Sequence, residues 1–517
     1  MLRSKLVPAY FYPECYHRGF TTIRALQSTN FRVRYPCVTT GPRFSTISLT
    51  PSPEPSIEYR WIDGVECLEM YEPGGYHPVM IDDLLHNRYR ILDKLGYGGY
   101  STIWLARDET AKRYVAVKIG ISSPSPRREI EVLRVLHSSR SNSYASDISA
   151  CTALPSVLDA FDIHGSNGTH ICYTLTPAQE SLREASFSRL FPIQVARALA
   201  AKLATAVAFV HSRGFVHGGL SSQLLILGKL IPSPDLHLRN VLVRLPSTFD
   251  ELSVEQFREK FGEPDTVPVA RVDEKPLTPN APAQAVVPLY LGKKAQEFTL
   301  ADAHGLLLSD FGEAFSPATQ RRLGKNCNTP LPSRAPEAFF EPDEPLSYPS
   351  DIWTLGLAIW ELLGMKFLFS ESEPRDEIVA EQIDVLGYHT VPPSWRAQWE
   401  RPATQDDSEN AVVPRRPTGD RESWPALEDA FEEFVQKYRR KREAAGVFDE
   451  KETKAILRLV RGMLAFRPEE RWTVEQVLGS EWMVGWALPQ LEHGCLTRTR
   501  DTRSKDCLLR DTPSTTS

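Results

Sequence analysis

The hydrophobic period changes along the chain, and that change constrains the fold more than any single motif. From Tyr89 to Ile119 apolar and β-branched residues come in short alternating runs, Tyr89-Arg90-Ile91-Leu92, Ser101-Thr102-Ile103-Trp104-Leu105 and Tyr114-Val115-Ala116-Val117. That is the period of strands. After about Leu190 apolar residues recur every 3.6 positions, as in Val195–Val210 and Ile352–Leu363, which is the period of helices. The expectation is an α+β fold, a small β-rich lobe followed by a larger helical lobe with a cleft between them.

Composition narrows the function classes. The chain has 517 residues, 41% hydrophobic, with 60 Lys and Arg against 66 Asp and Glu for a net charge of −6. There is no basic field of the kind that nucleic acid selects, so a direct nucleic-acid partner is not expected. Eight cysteines occur without a CxxC pair or a Cys/His cluster, which reads as reduced thiols in an intracellular compartment. The most apolar segment, Val195–Val210, is interrupted by Arg197 and Lys202, so no membrane span is expected. Nothing in the pattern calls for an oligomer, and a monomer is expected.

Residues 1–60 form a basic arm; its first 50 residues hold seven Lys or Arg and one acid, Glu14, among many Ser and Thr. That composition fits a mitochondrial presequence as well as a basic tail of a cytoplasmic or nuclear protein. Pro246–Thr299, Arg401–Pro425 and the polar tail after about Pro489 read as linker or insertion. The patterned sequence between them divides into a small lobe at 88–178 and a large lobe at 179–488, the latter interrupted at 219–234 and 246–299.

The chemistry-bearing residues lie in the patterned part. Leu95-Gly96-Tyr97-Gly98-Gly99-Tyr100-Ser101-Thr102 places a glycine-rich turn between two strands. There, backbone N–H groups of Gly96, Gly98, Gly99 and Ser101 could cover phosphate oxygens. Lys118 ends the apolar strand Val115-Ala116-Val117, a position suited to meeting an anion. In the following helix Glu129 shares a face with Leu133 and Leu136, so it can turn inward to pair with Lys118, and Glu131 is the poorer candidate. Leu306-Leu307-Leu308-Ser309-Asp310-Phe311-Gly312 is an apolar strand ending in an acid able to hold a divalent metal, with Gly312 permitting a sharp turn. Then come Arg334-Ala335-Pro336-Glu337, a helix start at Ser350-Asp351-Ile352-Trp353, and Arg471, which could pair with Glu337.

In that order these motifs resemble the signature set of eukaryotic protein kinases over roughly residues 88–488. Gly74-Gly75-Tyr76-His77-Pro78-Val79, Asn87-Arg88-Tyr89 and a serine at the third glycine position are similar to the SR-protein (serine/arginine-rich splicing factor) kinase family. The resemblance implies a bilobal kinase fold, ATP and Mg2+, and transfer of the γ-phosphate to a serine or threonine hydroxyl of a protein, Arg/Ser-rich by analogy. It assigns Lys118 to the α/β-phosphates, Glu129 to orienting it, and Asn240 and Asp310 to the metal. The acidic run Glu371, Glu373, Asp376, Glu377, Glu381 and Asp384 stands near the family's docking groove.

The catalytic loop departs from the pattern. Kinases carry His-x-Asp followed five residues later by Asn, the Asp accepting the hydroxyl proton. Asp235-Leu236-His237-Leu238-Arg239-Asn240 has that spacing and His217-Gly218 has the preceding half, but Gly219–Pro234 stands between them. Removing those sixteen residues restores His-Gly-Asp-Leu-His-Leu-Arg-Asn and keeps the reading frame, which points to a translated intron. Gly218 replaces an arginine that often reads an activation-loop phosphate, and His237 replaces a lysine. Two alternatives therefore stay open, a pseudokinase acting as a scaffold and a small-molecule phosphotransferase with a similar His-Gly-Asp loop. Glu337, Asp351 and Arg471 argue against the second.

Overall fold

The sequence period is realised in the small lobe as one six-stranded sheet. In the computed structural model, which describes residues 57–123, 125–138, 151–187, 190–219, 225–226, 229–230, 238–401 and 413–493, the strands are β1 (Leu84–Leu85), β2 (Tyr89–Gly98), β3 (Ser101–Asp108), β4 (Arg113–Gly120), β5 (Asp159–Gly165) and β6 (Gly168–Leu175). They lie in the order β1-β2-β3-β4-β6-β5 with every neighbouring pair antiparallel. Alternation puts Tyr89, Ile91, Trp104, Ala106, Val115, Val117 and Ile119 into one apolar layer. Between β2 and β3 the register shifts at Ile91/Asp93 and again at Lys94/Gly96. Bulges of this kind bend a strand and redirect its end, here the end that enters the glycine-rich turn.

The large lobe is built on two buried helices. Ile193–Ser212 has the length and apolarity of a membrane span, but most of it is buried inside the protein. Against it lies Tyr348–Leu363, in which every residue from Asp351 to Leu363 is buried, Trp353 and Trp360 included. The sequence suggests a helix starting at Ser350 with one apolar face. Instead it starts at Tyr348, and it is apolar all round because it runs through the core. A three-stranded antiparallel sheet, Leu306–Leu308 beside Val241–Arg244 beside β7 (Ala178–Ser181), closes the cleft side of this lobe.

Several expected boundaries change. The small lobe begins well before residue 88: Leu68, Tyr71, Tyr76 and Val79 are buried, and Val79 joins the apolar layer of the sheet. The stretch at 246–299, expected as a linker or insertion, is folded over much of its length. Its hairpin, Thr266–Pro268 with Gln284–Val286, sends Val286 into the same layer, and Asp250 accepts the Tyr114 N–H at 2.7 Å. Within that stretch the helix Val254–Phe261 belongs to a second unit, with Glu255 in its first turn and Arg258 and Lys260 in its last, the polarity that a helix dipole favours. Of the stretch 401–425, expected as a linker or insertion, residues 401 and 413–425 are described, and Arg421 there bridges Glu377 and Asp384. The last helix runs on to His493, so the polar tail starts later than Pro489. The basic arm up to residue 56 and the tail from 494 lie outside the described residues.

Candidate active site

Each expected residue is placed by the strand or helix that carries it. Strand alternation turns Lys118 away from Val117 and Ile119, toward the helix Ser125–His137. There its Nζ meets Glu129 Oε2 at 2.8 Å, with both side chains largely buried. Glu131, the alternative, is exposed. On the neighbouring strand Tyr173 stands opposite Lys118, its ring centroid 5.8 Å from the ammonium. Burial alone would lower the Lys118 pKa, but Glu129, Tyr173 and Asp310 outweigh it and hold the ammonium well above the usual lysine range. Lys118 is therefore a fixed positive charge at neutral pH.

Antiparallel register brings the metal candidates together. Val241 pairs with Leu308, so the residue before the first strand, Asn240, falls beside the residues after the second, Ser309 and Asp310. Ser309 donates its N–H to the Asn240 carbonyl at 2.8 Å and its hydroxyl to the same oxygen at 3.0 Å. The Asn240 amide donates to Asp310 Oδ2 and to the Gly219 carbonyl, each at 3.4 Å. On its other side Asp310 Oδ1 lies 3.7 Å from Lys118 Nζ. Asp310 itself has φ +64°, whereas Gly312 has no positive φ. The sharp turn expected at the glycine is thus made by the aspartate, one of the few residues that tolerate that region, and this swings its carboxylate toward Lys118.

Beneath them, buried Asp351 organises the first half of the catalytic loop. Its Oδ2 accepts the His217 N–H at 2.7 Å and contacts His211 Nε2 at 3.0 Å, while Oδ1 accepts the Gly218 N–H at 3.0 Å. Burial would raise the Asp351 pKa, but these partners, His211 first, hold it below the usual carboxylate value. The His217 ring bonds the Ser309 carbonyl at 3.1 Å and packs on Phe311 at 4.7 Å between centroids. Gly218 has φ +73°, and a Cβ there would stand 2.7 Å from the Glu313 carbonyl. The loop therefore leaves no room for an arginine at this position. Asp235, Leu236 and His237 lie outside the described residues.

The glycine-rich turn fits a phosphate cradle by its spare room. A Cβ on Gly96 or Gly98 would meet nothing within 4 Å, and neither has a positive φ. The chain's own packing does not demand glycine there, and the backbone is left open to a group approaching from outside. Gly98 pairs with Ser101 across the turn Gly99-Tyr100, and Ser101 continues the strand against Gly120. Ser101 thus sits in ordinary extended backbone, where a third glycine is unnecessary. Asp310 and Asn240 make a suitable donor set for magnesium, which takes one or two carboxylates plus phosphate and water oxygens.

Farther from the cleft, Arg471 and Glu337 form a bidentate pair, 2.9 Å on both arms. The guanidinium also donates to the carbonyls of Pro349, Ala465 and Phe466. The acidic run at 371–384 is not the open groove expected of it. Glu371 bonds Arg183 at 2.7 Å, Glu377 and Asp384 hold Arg421, and Glu381 is buried under the Ser370 backbone and hydroxyl, its pKa pushed up to about 7 by burial. Sequence reasoning missed Tyr173 and the contact of His211 with Asp351.

A buried Lys–Glu pair facing an Asp/Asn pair, below a glycine-rich turn and between a β lobe and a helical lobe, defines a phosphotransferase of the protein-kinase class. The Protein kinase domain family matches residues 294–483. A serine/threonine protein kinase of Aspergillus fumigatus is 26% identical over 438 residues, covering 81% of this chain and 90% of its own length. The serine/threonine-protein kinase SRPK of Physarum polycephalum is 23% identical over 435 residues, 81% and 91% of the two chains. SRSF protein kinase 3 of mouse is 36% identical over 145 residues, 26% of this chain and 25% of that protein. Residues 294–483 thus match a protein kinase domain, and over most of its length the chain is similar to serine/threonine protein kinases, with SR-protein kinases among its relatives.

Proposed function

We propose that the chain transfers the γ-phosphate of ATP to serine or threonine hydroxyls in Arg/Ser-rich protein segments. The observation that carries the reaction is the cluster Glu129–Lys118–Asp310–Asn240, with contacts of 2.8, 3.7 and 3.4 Å. Lys118 holds the α/β-phosphates, Glu129 fixes Lys118, and the backbone of Gly96, Gly98, Gly99 and Ser101 covers the phosphates. Asp310 and Asn240 are the magnesium ligands; bound there, the metal would neutralise charge on the phosphate oxygens. Asp235 is the group assigned to accept the substrate proton, on its spacing from Asn240. Support for an Arg-rich substrate is the likeness to a kinase named for SR splicing factors, not the acidic run, whose members are largely engaged within the lobe.

Mg-ATP is expected to raise the melting temperature, since a ligand at a hundred times its Kd stabilises by about 2.7 kcal/mol. Asp310→Ala should remove most of that shift, and equal shifts for both forms would refute the metal assignment. On peptide arrays, phosphorylation should favour serines flanked by arginine; indifference to arginine would refute the substrate class.

A further inference from the structure

We infer that the segment Glu66–Tyr76, which precedes the small-lobe sheet, is a positioning element for the phosphate-covering turn, with Tyr76 as its contact residue. The inference rests on the reading of Gly96–Ser101 as that turn. Tyr76 is buried and donates its hydroxyl to the Gly98 carbonyl at 2.8 Å. Its own backbone is pinned by Asn167, whose amide donates to the Tyr76 carbonyl at 2.6 Å, while Gly74 N–H bonds the Asn167 carbonyl at 2.8 Å. Four residues earlier on β2 the same segment takes a second grip. Lys94, fully buried, is ion-paired to Glu66, which also accepts the Tyr71 hydroxyl. The Tyr71 and Tyr76 rings pack edge to face at 5.5 Å, so the two grips are joined by contact.

These grips bracket Gly96, and between them lies the β2–β3 register shift at Lys94/Gly96. A bulged strand end has fewer ladder bonds to set its direction, so outside contacts decide where the turn points. At the same place the Lys94 carbonyl accepts the Leu289 N–H at 2.7 Å. Tyr76 touches no reacting atom; it acts through Gly98.

The test measures binding by calorimetry on the full chain, with Mg-ATP and with adenosine, which lacks the phosphates the turn would cover. Wild type should bind Mg-ATP more tightly than adenosine. Tyr76→Phe removes one hydrogen bond and should weaken Mg-ATP about three- to tenfold, leaving the Kd for adenosine within about twofold. Glu66→Gln, the second variant, should narrow the same ratio through the other grip. An unchanged ratio of the two Kd values in both variants would overturn the inference, because a merely structural role would weaken both ligands together. If wild type itself bound adenosine as tightly as Mg-ATP, the reading of the turn would fall, and the inference with it.

Discussion

A form of the chain lacking Gly219–Pro234 is expected to phosphorylate peptides with a kcat about a hundredfold above that of the full chain, the scale of loss that an ångström of misplacement imposes on a catalytic group. The Gly219 carbonyl, where the segment begins, lies 3.4 Å from the Asn240 side-chain amide. Inside it Leu225–Ile226 pairs with Lys229–Leu230 as a hairpin of its own. Joining Gly218 to Asp235 leaves three residues before Leu238, and four residue steps reach at most about 14 Å. At the two ends of that loop His217 is held by Asp351 and Asn240 is held against Ser309. Confining Asp235 to three residues restricts where its carboxylate can go. Kinase assays on both forms, beside sequencing of the transcript across these codons, decide the matter. A retained segment and a more active full chain would show that the loop is genuine.

Arg471→Met is expected to cost about 3–5 kcal/mol of stability, because it strands the buried Glu337 carboxylate. Arg471 has no exposed side-chain surface, and five of its hydrogen bonds end on Glu337, Pro349, Ala465 and Phe466. By contrast Lys454–Glu450, exposed at 73% and 83%, is a solvent-screened helix-surface pair whose loss should change stability little. Urea unfolding would compare the two, and Glu337→Gln combined with Arg471→Met should recover part of the loss, since no buried charge is then left unpaired. A loss below about 1 kcal/mol for Arg471→Met would show that the pair is not structural.

How far the sequence reached depended on whether a residue's role is local. Lys118 and Glu129 are set by strand alternation and helix spacing, so their meeting was legible from the chain alone. Arg471 was offered as a partner for Glu337 by opposite charge alone, and the two are found paired. What pattern could not show was long-range closure. Nothing in Glu66, Lys94 or Tyr76 taken singly announces that they meet, since the first two are 28 positions apart. The stretch 246–299 was read as a linker or insertion without structure of its own to name, because proline and charge hide a hairpin that contributes Val286 to another part of the core. The acidic run looked open because its counterions, Arg183 and Arg421, come from elsewhere in the chain.

The folded stretch before Asp310 has a mechanical consequence. The polypeptide passes from the small lobe to the large one after β6, returns to the small lobe at the hairpin Thr266–Pro268 with Gln284–Val286, and descends again to Leu306–Leu308. Three chain crossings span the cleft, where a single hinge would leave the lobes free to swing. Wide opening would have to draw Val286 out of its apolar layer or break the Leu289–Lys94 bond. A protease cut between Val272 and Pro279 is therefore expected to loosen the cleft without touching a residue of the Lys118, Asn240 and Asp310 cluster.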